Sequence, residues 1–275
     1  MKKLLYSMAL PVAVCFGFTL ISCSDDDNKN GSSPDLPYES ASAKYEMTSG
    51  SPYRSVEFTA SGNYIIITDQ AGIDDYESYS VPRAESDGVY AGTYTMSGDN
   101  HYNLKDFGTI VVESSGSNSV LMTITTSSGS ETHSALKTQV PNLSDFSKSL
   151  CRLWKTKSVR MEIWSGGKKV YDKTAPANNV SGLQYVEQAA VPYKVEISEF
   201  GTYARYNENM EADIAYWRWI DEKEGLVGYR WSGTWDDAGV MTVSLKGSDL
   251  VVSEEYEEEE DGVAAKVTFT FSPSK

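Results

Sequence analysis

From Val263 to Phe271 the chain alternates. Val263, Ala265, Val267, Phe269 and Phe271 are apolar, and Lys266, Thr268 and Thr270 between them are polar. On an extended backbone, side chains two apart share a face, so this run buries one face and wets the other. Asp261-Gly262 just before it is a hairpin turn signal. The same pattern runs back to about residue 39: short stretches rich in Val, Ile, Thr, Tyr and Trp, broken by turn residues at roughly 8–12-residue spacing. That spacing predicts an all-β protein built of antiparallel strands. One short helix is expected from Ser144 to Leu150, with Ser144 as N-cap and Asp145 in its first turn.

The strands repeat. Val56-Glu57-Phe58-Thr59-Ala60-Ser61-Gly62-Asn63-Tyr64 matches Val195-Glu196-Ile197-Ser198-Glu199-Phe200-Gly201-Thr202-Tyr203. Gly108-Thr109-Ile110-Val111-Val112, followed by Gly116-Ser117-Asn118 and Val120-Leu121, matches Gly239-Val240-Met241-Thr242-Val243, followed by Gly247-Ser248-Asp249 and Val251-Val252. Between these, Gly92-Thr93-Tyr94 echoes Gly233-Thr234-Trp235. Matches in one order predict two related tandem β domains. Residues 39–141 are assigned to the first and 142–275 to the second, with the boundary near Pro141-Asn142. The second copy opens with an extra hairpin from Trp154 to Val170, turning at Ser165-Gly166-Gly167, whereas the first has little before Val56. All six tryptophans fall in the second copy.

The N-terminal segment has a different character. Met1-Lys2-Lys3 precedes an apolar run from Leu4 to Ile21, then Ser22 and Cys23. A basic start, an apolar middle and a small residue before the cut describe a secretory signal, here residues 1–22. Pro11, Gly17, Ser7 and Thr19 interrupt the run, which is near the lower limit for spanning a bilayer. Residues 23–38 follow as a tether, polar and carrying Gly31, Pro34 and Pro37, a composition that forms no core.

Leu20-Ile21-Ser22-Cys23 resembles the bacterial lipobox. The resemblance implies that Cys23 becomes the first mature residue and carries acyl chains such as palmitate. One chain gives marginal attachment and several give firm attachment. Ser24, Asp25, Asp26 and Asp27 resemble the acidic export tag of Bacteroidota surface lipoproteins. That implies an outer-membrane protein facing the cell exterior, with membrane contact through the lipid on Cys23. The second half is similar to the lipocalin-like (calycin-like) domains of such lipoproteins. The residues that carry this are Leu153-Trp154-Lys155 after the short helix, Gly201-Thr202-Tyr203, and the closing strand to Phe271. Arg152 stands where lipocalins place a glycine. The resemblance implies a small antiparallel barrel with room for one small ligand.

The aromatic segment is where binding is expected. Ala215 to Ile220 reads as a strand, Asp221 to Gly225 as a turn, and Tyr229-Arg230-Trp231 as the returning strand. Period two puts Trp217 and Trp219 on one face, and a hairpin brings Tyr229 and Trp231 to it. Trp235 extends that face unless Ser232-Gly233 forms a bulge. Tyr216, Arg218 and Arg230 take the opposite face. Two readings stand at this point. Trp217, Trp219, Tyr229, Trp231 and Trp235 line a site for a small apolar ligand or a glycan, or they fill a core, which is the commoner use of such side chains.

Other chemistry is poorly represented. The net charge of −15 repels phosphate backbones and argues against nucleic-acid binding. His101 and His133, the two histidines, lack metal-ligand spacing. No serine-nucleophile elbow or zinc-protease signature occurs, no phosphate loop is found, and no cofactor is implied. Ser134-Ala135-Leu136-Lys137 fits a Ser-x-x-Lys pattern without its usual partner motif. The acidic run Glu254 to Asp261 is expected to be a solvated hairpin edge rather than a calcium loop, because carboxylates on a strand diverge to two faces. With Cys15 removed and Cys23 acylated, Cys151 has no partner for a disulfide. The oligomeric state is open.

Overall fold

A computed structural model describes residue 38 and residues 41–69, 88–231, 234–258 and 263–274. The signal segment, Cys23 and residues 24–27 lie outside the described residues, as do Ser232-Gly233 and Asp261-Gly262. Among the described residues no helix is long and apolar enough to cross a membrane.

The chain folds as two tandem antiparallel eight-stranded barrels. The first comprises β1 (Ala43–Met47), β2 (Tyr53–Phe58), β3 (Asn63–Thr68), β4 (Val89–Gly98), β5 (His101–Leu104), β6 (Gly108–Ser114), β7 (Ser119–Thr126) and β8 (Gly129–Lys137). Each strand pairs with the next, and β8 returns to β1. The first copy is therefore complete, and the expectation of little structure before Val56 is corrected by β1. Closure leaves no unpaired edge, which an isolated sheet of this length would expose.

Helix α1 (Asp145–Leu150) follows, capped as expected: Ser144 Oγ accepts from the Ser147 amide. The second barrel comprises β9 (Leu153–Ser165), β10 (Lys168–Pro176), β11 (Lys194–Ile197), β12 (Thr202–Tyr206), β13 (Ala212–Asp221), β14 (Leu226–Arg230), β15 (Gly239–Lys246), β16 (Asp249–Glu258) and β17 (Val263–Pro273). It closes through β9, which pairs with β17 on one side and, over Leu153–Lys155, with β11 on the other. Past that short contact, β10 takes over the same side of β9. The hairpin expected from the sequence is present, but β9 is the counterpart of β1, so the addition is corrected to β10 alone. Ion pairs bridge the hairpin strands: Arg160 of β9 meets Asp172 of β10 at 2.7 Å, and Lys169 of β10 meets Glu162 of β9.

Strand order makes β1–β8 equivalent to β9 and β11–β17. The first repeat holds residue by residue, with Gly62 and Gly201 both at positive φ (88° and 82°) in the turn. Tyr94 and Trp217 are equivalent too: their amides donate to Gly62 and Gly201 carbonyls at 2.9 and 2.8 Å. Their ring donors bond the carbonyls of Thr59 and Ser198, both at 3.0 Å. Two details of the repeat are corrected. Gly92–Tyr94 lie in β4, whose counterpart is β13, whereas Trp235 follows β14, so that echo is coincidental. The match of Val120-Leu121 to Val251-Val252 is one residue out of step. Val112 pairs with Met122 and its counterpart Val243 with Val252, which makes Met122 equivalent to Val252 and Ile124 to Glu254.

Each barrel has its own core. In the first, Phe58 stacks on Tyr102 at 3.7 Å and meets the edge of Tyr94 at 5.2 Å. In the second, alternate residues of β17 (Ala265, Val267, Phe269, Phe271) point inward as period two requires. A third apolar cluster joins the barrels through their outer faces.

Candidate functional site

The aromatic hairpin of the second barrel is β13–β14, with Trp217 opposite Tyr229 and Trp219 opposite Val227. Alternation turns these side chains into the barrel. Trp217 and Tyr229 are each 6% exposed, and Trp219 and Trp231 are half-buried against the same core. Trp219 lies nearest α1, where its Nε1 donates to Ser147 Oγ at 2.8 Å and its ring stacks on Phe146 at 5.7 Å. The helix thus covers that end of the barrel.

Trp235 does not join this face. It sits in a single 3-10 turn, Trp235–Asp237, and packs on the outer surface, where the guanidinium groups of Arg218 and Arg230 lie 4.2 and 5.2 Å from its ring. The excursion between β14 and β15 carries it outside. The expected inward extension of the face to Trp235 is corrected.

Tyr203 lies between two small internal cavities and lines both. One, beneath α1, has a volume of about 10 Å³ and an apolar wall that includes Leu150 and Trp217. The other, about 20 Å³, is lined by Tyr203, Arg205, Tyr229, Trp231 and Glu254 among others. A space of that size holds about one water molecule. The interior is packed, and the polar groups are concentrated at the second cavity.

Sequence reading did not single out Arg205 and placed Glu254 on a solvated edge. Arg205 is 8% exposed. Its Nη2 donates to the Ala190 carbonyl at 3.2 Å, and its guanidinium lies 5.3 Å from the Trp231 ring. Its Nε is buried with no hydrogen-bond partner among the described residues. Glu254, 6% exposed, accepts from Tyr229 Oη at 3.1 Å and from Tyr256 Oη. Burial holds its carboxyl above the ordinary range, with the two tyrosine hydrogen bonds and Arg205 opposing. Burial likewise pushes the Tyr203 hydroxyl up to about 12. The expectation that the acidic run is a solvated edge is therefore corrected at Glu254. Its parity with Leu250 and Val252, both inward-facing, is the signal that could have found it.

The first barrel supplies the comparison that gives these residues meaning. Counting from the first repeat, Arg205 is equivalent to Ile66, and Glu254 is equivalent to Ile124. Both isoleucines are buried in the first core, at 0% and 2% exposure. Where one barrel carries two isoleucines, the other carries a guanidinium and a carboxyl on one cavity.

Among the described residues, no group of three or more His, Cys, Asp or Glu is placed to hold a metal ion. Ser134 and Lys137 are both exposed on β8. Cys151 is a free cysteine whose thiol is pushed up to about 12, chiefly by burial.

No family model matches this chain, and no curated protein matches it. Among solved structures it is similar to a protein of unknown function of the DUF3598 family from Nostoc punctiforme PCC 73102. That similarity is at 8% identity, with a TM-score of 0.23, over 89% of this chain and 100% of the other.

Proposed function

We propose that the protein is a lipid-anchored outer-membrane protein of the Bacteroidota surface-lipoprotein kind, facing the cell exterior. Its second, lipocalin-like barrel binds a small glycan, and the protein is not an enzyme. The anchor rests on the lipobox-like Leu20–Cys23 and the acidic tag Ser24–Asp27. A Cys23→Ala variant should be released as soluble protein, and its persistence in membranes after a salt wash would count against the anchor.

One observation carries the binding reading: Arg205 and Glu254 replace two isoleucines of the sister barrel. Buried charged groups are weak contributors to stability, and well-packed apolar residues in their place are often neutral or better. The first barrel shows that this fold closes with isoleucine at both positions. The pair is thus better explained by recognition. Arg205 Nε offers a donor, Glu254 an acceptor, and half-buried Trp231 an aromatic surface beside them. Donors and acceptors next to an aromatic ring suit a sugar hydroxyl and ring face better than an aliphatic chain. The cavity of about 20 Å³ admits a hydroxyl group rather than a whole molecule.

The test is titration of residues 39–275 with panels of mono- and oligosaccharides and of lipids, read by tryptophan fluorescence and calorimetry. Saturable sugar binding, lost in Trp231→Ala and retained in Trp235→Ala, is expected. If neither panel binds and native mass spectrometry finds no copurified molecule, the packed interior favours the second reading. In that reading the protein is a structural or protein-interaction lipoprotein with its tryptophans as core.

A further inference from the structure

The two barrels meet through equivalent surfaces. Glu57, 2% exposed, leaves the first barrel and accepts hydrogen bonds from Ser198 and, at 2.6 Å, from Thr202 of the second. Glu196, 1% exposed, leaves the second barrel and accepts from Asn63 at 2.7 Å, with the hydroxyls of Thr59 and Ser61 of the first beside it. In the repeat Glu57 corresponds to Glu196, Thr59 to Ser198, and Asn63 to Thr202. Each glutamate therefore accepts from the same position of the other barrel, Asn63 or Thr202, and lies beside the same second one, Thr59 or Ser198.

The apolar part of the contact obeys the same rule. Ile65 and Ile67 correspond to Ala204 and Tyr206. Strand pairing makes Val89 equivalent to Ala212 and Ala91 equivalent to Ile214. All eight belong to or pack against the one cluster between the barrels. Equivalent strands β4 and β13 lie against each other. A contact in which residue i of one body meets j of the other, while j meets i, is the signature of a two-fold dimer interface.

The symmetry is broken at its margin, where Ser42 Oγ donates to Glu199, whose counterpart is Ala60, and where Lys44 stands on one side only. Lys44 lies beside Glu57 on β1, with its Nζ 3.7 Å from the carboxylate. The corresponding neighbour of Glu196 on β9 is Leu153, whose amide instead donates to Ser61 Oγ at 2.9 Å.

We propose that this face is a self-complementary dimer interface enclosed within one chain. Each barrel is built to recognise a second barrel of the same fold, and the connecting segment is a passive tether. This stands apart from whatever the second barrel binds. The reciprocal buried hydrogen bonds hold the barrels together without help from the covalent link. Residues 139–142, all exposed, form the link.

A protease site introduced over residues 139–142 allows the folded chain to be nicked. The two pieces should co-elute at micromolar concentration and appear as one complex by native mass spectrometry. Glu57→Ala and Glu196→Ala should each weaken that complex by about tenfold or more, because each strands buried donors. Glu57→Ala should be non-additive with Thr202→Val, and Glu196→Ala non-additive with Asn63→Ala. If nicking unfolds the chain, the same two cycles read by urea unfolding of the intact protein carry the test. Separation of the native nicked pieces overturns the proposal. So does coupling in one cycle with none in the other.

Discussion

The two barrels share strand order, the Gly62 and Gly201 turns, and the ring-donor bonds that Tyr94 and Trp217 make to equivalent carbonyls. They differ in what fills them. The first is filled by stacked aromatics and aliphatic side chains, with Phe58 against Tyr102 and isoleucine at positions 66 and 124. The second holds Trp154, Trp217, Trp219 and Trp231 with Arg205 and Glu254, and has α1 over one end. Positions alike in both barrels are those the fold requires: turn, register and closure. Arg205 and Glu254 differ from their counterparts inside one barrel beside one cavity, where the fold makes no demand for charge. The difference separates positions that barrel closure fixes from positions it leaves free to vary.

The comparison can be broken most forcefully in the apolar core. Phe58→Ala should destabilise the first barrel by about 3–5 kcal/mol through lost burial and the cavity left behind. Two separate transitions in urea, with the second barrel's tryptophan fluorescence unmoved during the first, would show barrels that unfold independently. A single shifted transition would show that the interface couples them.

One of the two reciprocal glutamates, Glu196, makes stability depend on pH. Burial raises the Glu196 carboxyl from 4.5 to about 7, with nearby Glu57 adding to the rise. The folded state then holds a proton that the unfolded chain releases. The stability contributed is complete below about pH 4.5 and is lost as pH rises through 7, by about 3 kcal/mol in all. Glu254, also raised by burial, acts in the same direction. Urea melts from pH 4.5 to 8 should therefore show stability falling with pH over this window. Glu196→Gln should flatten that slope, and an unchanged slope would remove the assignment to this carboxyl.

The charged pair sharpens the comparison at slightly smaller cost. Arg205→Ile alone should destabilise the second barrel by about 2 kcal/mol, because it removes a cation that favours the buried Glu254 carboxylate. Adding Glu254→Ile, which recreates the first barrel's arrangement, should recover most of that loss while abolishing the proposed sugar binding. A double variant as unstable as the sum of the singles would mean the second barrel cannot accept the first's interior. The smallest effect concerns the helix that covers only the second barrel. Ser144→Ala removes the N-cap bond and should cost about 1 kcal/mol in thermal or urea unfolding.

Much of this architecture is legible in the sequence because period two is a local property. The β17 alternation, the Trp217–Tyr229 face, the capped helix and the β9–β10 hairpin all follow from neighbours within about a dozen residues. What escaped lies where one strand is buried on both faces or where the chain leaves a strand. In β12, Thr202, Ala204 and Tyr206 are buried at the inter-barrel contact while Arg205 is buried inside, so polarity does not report direction. Glu254 belongs to an acidic run whose other members gave it the look of a wet edge. Trp235 left its face because a turn intervened.

The sequence alone determined that the chain is all-β, that it is doubled, and which residues of each strand share a face. These depend on the two-residue repeat of an extended backbone and on turn chemistry, which act between near neighbours. The tertiary structure alone decided that both copies close, that Glu57 and Glu196 reach across to each other's turns, and that Arg205 and Glu254 meet on one cavity. Each of those pairs residues far apart in the chain. Their meeting is fixed by barrel closure and by the need of buried polar groups for partners, and no local pattern encodes it.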